Sequence, residues 1–190
     1  GNVHVMFPMI ATCDEVAQAR ALLEEAAAEL RAAGIDHAQS IPTGIMVEVP
    51  SAALIADKLA PLVDFFSIGT NDLTQYTFAA DRGNARVAGI GDPLHPAVLR
   101  QIARVIDAAH SAGKWVGLCG ELAGLPAGIP VLLGLGLDEF SMSATAIPAA
   151  KTLLARLTVA ESQALARRVL DLPDAAAVKA EVNRFVAGLA

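Results

Sequence analysis

Asp64-Phe65-Phe66-Ser67-Ile68-Gly69-Thr70-Asn71-Asp72-Leu73-Thr74-Gln75-Tyr76 decides how this chain is read. An apolar run of strand length stops at a glycine. Two polar groups, Asn71 and Asp72, follow at once, and a helical pattern begins at Leu73. In parallel α/β architectures, ligands bind at the carboxyl ends of the strands. A buried strand that delivers Asn-Asp to that rim therefore marks a candidate site. Thr, Asn and Asp are also good helix N-caps, so this stretch alone leaves a plain capped helix equally open.

Upstream, residues 3–9 (Val-His-Val-Met-Phe-Pro-Met) read as a buried strand. Residues 14–33 carry apolar side chains at helical spacing, and Gly34 stops the pattern as a C-terminal glycine should. Residues 41–49 form a continuous apolar strand of the kind covered on both faces, closed by Pro50, and 51–62 read as a helix. Downstream of the third strand (64–70) come a helical segment at 73–80 and a rim loop at 81–96 rich in Gly, Asn, Asp and Pro. A helix at 97–112, a fourth strand at 114–120, a short helix at 128–134 and a fifth strand at 138–144 follow. Helices at 148–157, 159–170 and 175–189 complete the chain.

Strand and helix alternate in units of roughly 30 residues. No linker or low-complexity stretch divides them, so one α/β domain is expected. Five such units fit an open doubly wound sheet or part of a (β/α)8 TIM-type barrel, whose closure takes about 250 residues. The first strand lacks polar edge character, which favours part of such a barrel.

Composition narrows the function classes. The 190 residues carry a formal charge of −6, which argues against a nucleic-acid binder needing a basic face. Hydrophobic residues make up 54% and aromatics only 4%, so the core is expected to be aliphatic. Two cysteines, Cys13 and Cys119, make no disulfide framework and suit a reducing compartment. Charges and prolines interrupt every candidate membrane span, and no signal peptide opens the chain. A cytoplasmic protein without membrane insertion is expected.

Three successive strands each carry a chemically useful residue at the carboxyl end: Glu48, Asn71-Asp72 and Cys119. Carboxylates from two neighbouring strands make a plausible magnesium site, since Mg²⁺ is commonly held by one or two carboxylates plus water and phosphate oxygens. For Glu48 the alternative is an ion pair with a nearby Arg or Lys, because an unpaired buried charge is costly. A free thiol ionises near ~8.5, so at neutral pH it can donate a proton as well as attack; a small buried hydrophobe is the other reading of Cys119. Arg82, ten residues past Asp72, can reach back and grip an anion bidentately or remain a solvated surface residue. Cys13, and His4, His37, His95 and His110, show no metal or nucleophile spacing and read as structural or surface residues.

The motifs Met6-Phe7-Pro8-Met9, Gly44-Ile45-Met46-Val47-Glu48, Phe65 to Gln75, Asp81-Arg82-Gly83-Asn84, Gly117-Leu118-Cys119-Gly120-Glu121-Leu122-Ala123-Gly124 and Gly136 to Ser143 together resemble a known family. They are similar to the C-terminal phosphoenolpyruvate-binding domain of enzyme I of the bacterial sugar phosphotransferase system. The same domain occurs in multiphosphoryl transfer proteins, and shorter versions occur in pyruvate phosphate dikinase and phosphoenolpyruvate synthase. The resemblance runs along essentially the whole chain. Leu125-Pro126 departs from it where the family usually has an acidic residue, which bears on the cap of the next short helix.

The resemblance implies a (β/α)8 barrel that dimerises, uses Mg²⁺ and passes the phosphoryl group of phosphoenolpyruvate to a histidine on a separate N-terminal domain. That histidine then serves a histidine phosphocarrier protein. By motif, Glu48 and Asp72 correspond to metal ligands, Asn71, Asp72 and Arg82 to substrate contacts, and Cys119 to the acid that protonates the enolate. The phosphohistidine domain and the first three barrel strands, with further arginines, are expected to be missing from residues 1–190. An incomplete barrel has two open sheet edges, so self-association is expected. The competing expectation is a dimerisation or structural module with no ligand of its own.

Overall fold

The computed structural model describes residues 2–189. Its centre is a five-stranded, all-parallel sheet in the order β1-β2-β3-β4-β5, formed by Val5–Phe7, Thr43–Val47, Phe65–Gly69, Trp115–Cys119 and Glu139–Phe140. A doubly wound sheet reverses its strand order at a switch point. The strictly sequential order here is that of consecutive units of a (β/α) barrel, and the chain forms five of them. Nine helices of the described residues connect and follow the strands: α1 Cys13–Ala32, α2 Pro50–Leu54, α3 Ala56–Leu59, α4 Thr70–Phe78, α5 Pro96–Ser111, α6 Ile129–Leu135, α7 Ile147–Leu154, α8 Val159–Leu170 and α9 Ala175–Ala187.

The two faces of the sheet differ. Ile45, Val47, Phe66, Ile68, Val116 and Leu118 are fully buried and belong to one continuous core that includes α5 residues Val98, Leu99, Ile102, Val105 and Ile106. Met46, Ser67 and Cys119 alternate with them and are only half-buried. The apolar run of β2 therefore does not mean helices on both faces. One face meets helices, and the other is the face that a barrel turns inward.

Two aspartates pin the register at the amino ends of the strands. Asp64 Oδ2 accepts from Thr43 N, and Asp138 Oδ2 accepts from Val116 N, each at 2.8 Å. His110 shares the second carboxylate, with Nε2 at 2.8 Å. Phe65 and Trp115 stack there at 4.6 Å between centroids, with His4 set edge-on to both. His95 caps α5 by accepting from Ala97 N. Cys13, at the start of α1, packs partly buried against the core.

Several expected elements are corrected. The first strand is three residues long and half-buried, not a buried run over 3–9. Pro8 has no N–H for a ladder, and Met9 turns the chain with φ +57°. The helix expected over 51–62 is split at Ile55, whose φ of −108° and ψ of 22° leave the helical region, and it ends in a 3-10 turn, Ala60–Leu62, that contains Pro61. The fifth strand has two residues in place of 138–144, because among the described residues it pairs with β4 alone, through Glu139 and Phe140. α6 starts from Gly128 with no side-chain cap, as the Leu125-Pro126 departure leads one to expect.

α6 and α8 touch backbone to backbone at Gly134, where an added Cβ would lie 2.0 Å from the Ser162 carbonyl oxygen. Relief requires the helices to separate, and overpacking of this kind costs about 1–3 kcal/mol. Gly134→Ala is expected to lower the melting temperature by several degrees. Thermal denaturation followed by circular dichroism checks this, and an unchanged midpoint would contradict the close approach.

Candidate functional site

The site forms where β2, β3 and β4 end together. Val47 pairs with Ile68 and Gly69 with Cys119, so the residues that follow each strand emerge on one rim. Glu48, Asn71, Asp72, Arg82 and Cys119, with Met46, Gly69, Thr70 and Gly120, line one cavity of about 170 Å³. All five residues singled out from the sequence thus meet in one place.

Glu48 is 4% exposed. Its Oε1 accepts from the Met9 N–H at 2.8 Å, so the left-handed turn that ends β1 supplies the donor. Among the described residues Glu48 forms no ion pair with Lys or Arg, which removes the salt-bridge alternative. Gly69 makes room for it: a Cβ at that position would lie 2.8 Å from Glu48 Oε2. Burial pushes the Glu48 carboxyl above the ordinary carboxylate range. The Met9 N–H opposes that rise, and the charge of Asp72 adds to it.

Asn71 and Asp72 are not the cap of α4. The helix starts at Thr70, three residues earlier than expected, with Gly69 at the N-cap and no side-chain cap bond. Its first-turn side chains reach across to the end of β4 and the turn that follows it instead. Thr70 Oγ1 donates to the Cys119 carbonyl at 3.3 Å, and Asn71 Oδ1 accepts from Glu121 N at 3.3 Å. Gly120 is required between them. Its φ of +109° is a glycine conformation, and a Cβ would lie 2.4 Å from Thr70 Oγ1.

Arg82 reaches back from the 81–96 loop to pair with Asp72, Nη2 to Oδ1 at 3.3 Å, while its backbone N–H donates to Gln75 Oε1. The guanidinium is exposed, so this pair is loose. Cys119 is a free, half-buried thiol whose Sγ accepts from Ser67 Oγ at 3.7 Å. The sequence reading missed three supporting groups: the Met9 N–H, the Thr70 hydroxyl and Ser67. Only Ser67 left a legible trace, as the single polar side chain in Phe65-Phe66-Ser67-Ile68-Gly69.

Chemically, the cavity presents two oxygen donors for a hard cation, an amide and a guanidinium for an anion, and a thiol. Residues 1–159 match the model of a family described as PEP-utilising enzyme, PEP-binding domain, PEP being phosphoenolpyruvate.

The chain belongs to this family.

Two relatives of this PEP-binding domain are phosphoenolpyruvate-protein phosphotransferases. The protein from Geobacillus stearothermophilus is 55% identical over 184 residues, covering 97% of this chain and 32% of that protein. The one from Listeria monocytogenes is 51% identical over 187 residues, covering 98% and 33%. The domain thus spans about a third of the length of these curated relatives. A citrate lyase from Burkholderia xenovorans shares the fold, with a TM-score of 0.56 at 20% identity over 98% of this chain and 64% of that one.

The raised Glu48 carboxyl has a consequence for stability. In the unfolded chain a Glu ionises near ~4.3. Because the folded value is higher, the unfolded chain releases its proton first as pH rises, and the folded state loses stability through that window. Glu48→Gln keeps the acceptor for Met9 and removes the charge. It is expected to raise the melting temperature of chelator-treated protein at neutral pH and to leave it unchanged below pH ~4. Scanning fluorimetry at the two pH values checks this, and a lower midpoint at neutral pH would oppose it.

Proposed function

We propose that this domain binds phosphoenolpyruvate within a phosphoenolpyruvate-protein phosphotransferase of the sugar phosphotransferase system. The observation that carries the proposal is the convergence of Glu48, Asn71, Asp72, Arg82 and Cys119 on one small cavity. The phosphoryl group passes to a histidine on a separate phosphohistidine domain of the same protein, and from there to the histidine phosphocarrier. The parent works in the cytoplasm as a homodimer.

The donor set fits a magnesium ion. Among the described residues no group of three His, Cys, Asp or Glu is assembled to hold a metal. Two carboxylates with further oxygens from water and phosphate are what Mg²⁺ favours. Glu48, nearly buried beside Asp72 and without a basic partner, is a group that a cation would suit. Glu48 and Asp72 would hold the ion, which when bound neutralises phosphate charge.

The remaining roles belong to the chain. Phosphoryl transfer needs positioning and charge more than covalent help from the protein. The N–H groups of the first turn of α4 and the Asn71 amide orient the phosphate, and Arg82 shares its charge between Asp72 and the anion. Loss of the phosphoryl group leaves the enolate of pyruvate, and Cys119 Sγ–H gives its proton to the methylene carbon.

Among the described residues Arg82 is the sole guanidinium lining the cavity, so the 190-residue chain alone is expected to bind phosphoenolpyruvate weakly. In the full-length phosphotransferase, Glu48→Ala and Asp72→Ala are expected to weaken magnesium-dependent binding at least about tenfold, read by calorimetry. Cys119→Ala should bind phosphoenolpyruvate yet form pyruvate about 100-fold more slowly. Metal-dependent binding untouched by both carboxylate variants would favour a structural module.

A further inference from the structure

Ser67 sits in the middle of β3, in Phe65-Phe66-Ser67-Ile68-Gly69, where every other side chain is apolar or absent. Ladder register places it opposite Gly117, while Gly69 lies opposite Cys119. Ser67 therefore approaches the Cys119 sulfur from one residue pair below the rim, past a glycine that puts no side chain between them. Its Oγ donates to Sγ at 3.7 Å, a reach suited to the large radius of sulfur. Cys119 lines the cavity and Ser67 does not. The hydroxyl thus meets the sulfur from outside the cavity lining.

We propose that Ser67 is a positioning residue for Cys119: its hydroxyl holds the sulfur lone pair on the sheet side, aims the S–H into the cavity, and stabilises the thiolate once the proton has left. The proposal rests on the reading of Cys119 as the acid of the proposed reaction. In that step the S–H bond breaks and its electron pair stays on sulfur. The proton joins the methylene carbon of the enolate, the C=C pair becomes the new C–H bond, and the enolate oxygen becomes the keto oxygen of pyruvate. Negative charge thus moves onto Sγ, and a neutral hydrogen bond becomes one to an anion. Hydrogen bonds to charged groups are markedly stronger than neutral ones, so the contact strengthens as the proton departs. Contacts of this kind are commonly long in the free protein and tighten during reaction.

A serine kept only for its small size would make the opposite prediction, because alanine would fill the place as well. In the full-length phosphotransferase, Ser67→Ala is expected to lower kcat for pyruvate formation about tenfold and to leave KM for phosphoenolpyruvate within about twofold. Ser67→Thr, which keeps the hydroxyl, is expected to recover most of the loss. A second readout needs no turnover. At fixed neutral pH, iodoacetamide should alkylate Cys119 several-fold more slowly in Ser67→Ala, with Cys13 as the internal reference in the same mass spectrum. If Cys119→Ala slows pyruvate formation about 100-fold while Ser67→Ala keeps normal kcat and normal or faster alkylation, the Ser67 assignment is overturned and the acid reading stands. If Cys119→Ala forms pyruvate at the normal rate, the acid reading falls and the Ser67 assignment falls with it.

Discussion

A carboxylate cannot leave water without compensation, and Glu48 has almost left it. The surrounding backbone is arranged for that one group. β1 stops early and turns at Met9, so that an amide points at Oε1. Gly69 ends β3 because any side chain there would strike Oε2. Asp72 stands beside it and makes ionisation harder. The result is a pair of acids whose charges are poorly matched by the described residues, since the Arg82 guanidinium nearby is exposed and bound to Asp72. Such a pair is stable as architecture and unsatisfied as electrostatics, which is the condition in which a cation is most useful to it.

The second constraint is the joint between β3 and β4. The first turn of α4 makes no cap of its own. It spends Thr70 and Asn71 on the chain leaving β4, and Gly120 allows the approach. The strand end that carries Cys119 and the helix that carries Asp72 are thereby fixed to each other as one unit. Mutual position of metal-type and acid-type groups then depends on two hydrogen bonds and a glycine, and little on the long 81–96 loop.

Much of this was legible from the residues. Strand–helix alternation gave the α/β class, and the strand ends named Glu48, Asn71, Asp72 and Cys119, because a parallel sheet brings its carboxyl ends together whatever the details. The apolar first strand pointed to a barrel, although in the structure β1 is half-buried. Other features depended on contacts that no local pattern contains. The early start of α4 follows from partners at the end of β4 and just beyond it, 49 and 50 residues away in sequence. The break at Ile55 and the shortness of β5 reflect packing and pairing partners, not propensity. The Met9 amide could not be foreseen, since a non-glycine residue with positive φ leaves no compositional mark. Ser67 was visible as an oddity in β3 but acquired a meaning only when Cys119 stood beside it.

The face-to-face stack of Phe65 and Trp115 contains the only tryptophan of the chain. Trp115 opens the strand that Cys119 closes, so the two lie about 13 Å apart at the usual rise of an extended strand. The indole is partly open to solvent, at 38% exposure, on the end of the sheet remote from the cavity. Its emission is thus an intrinsic optical gauge of solvent access at the floor of the sheet, insensitive to direct contact with whatever fills the rim. Any spectral response to a small molecule at the rim would have to be transmitted along β4 itself.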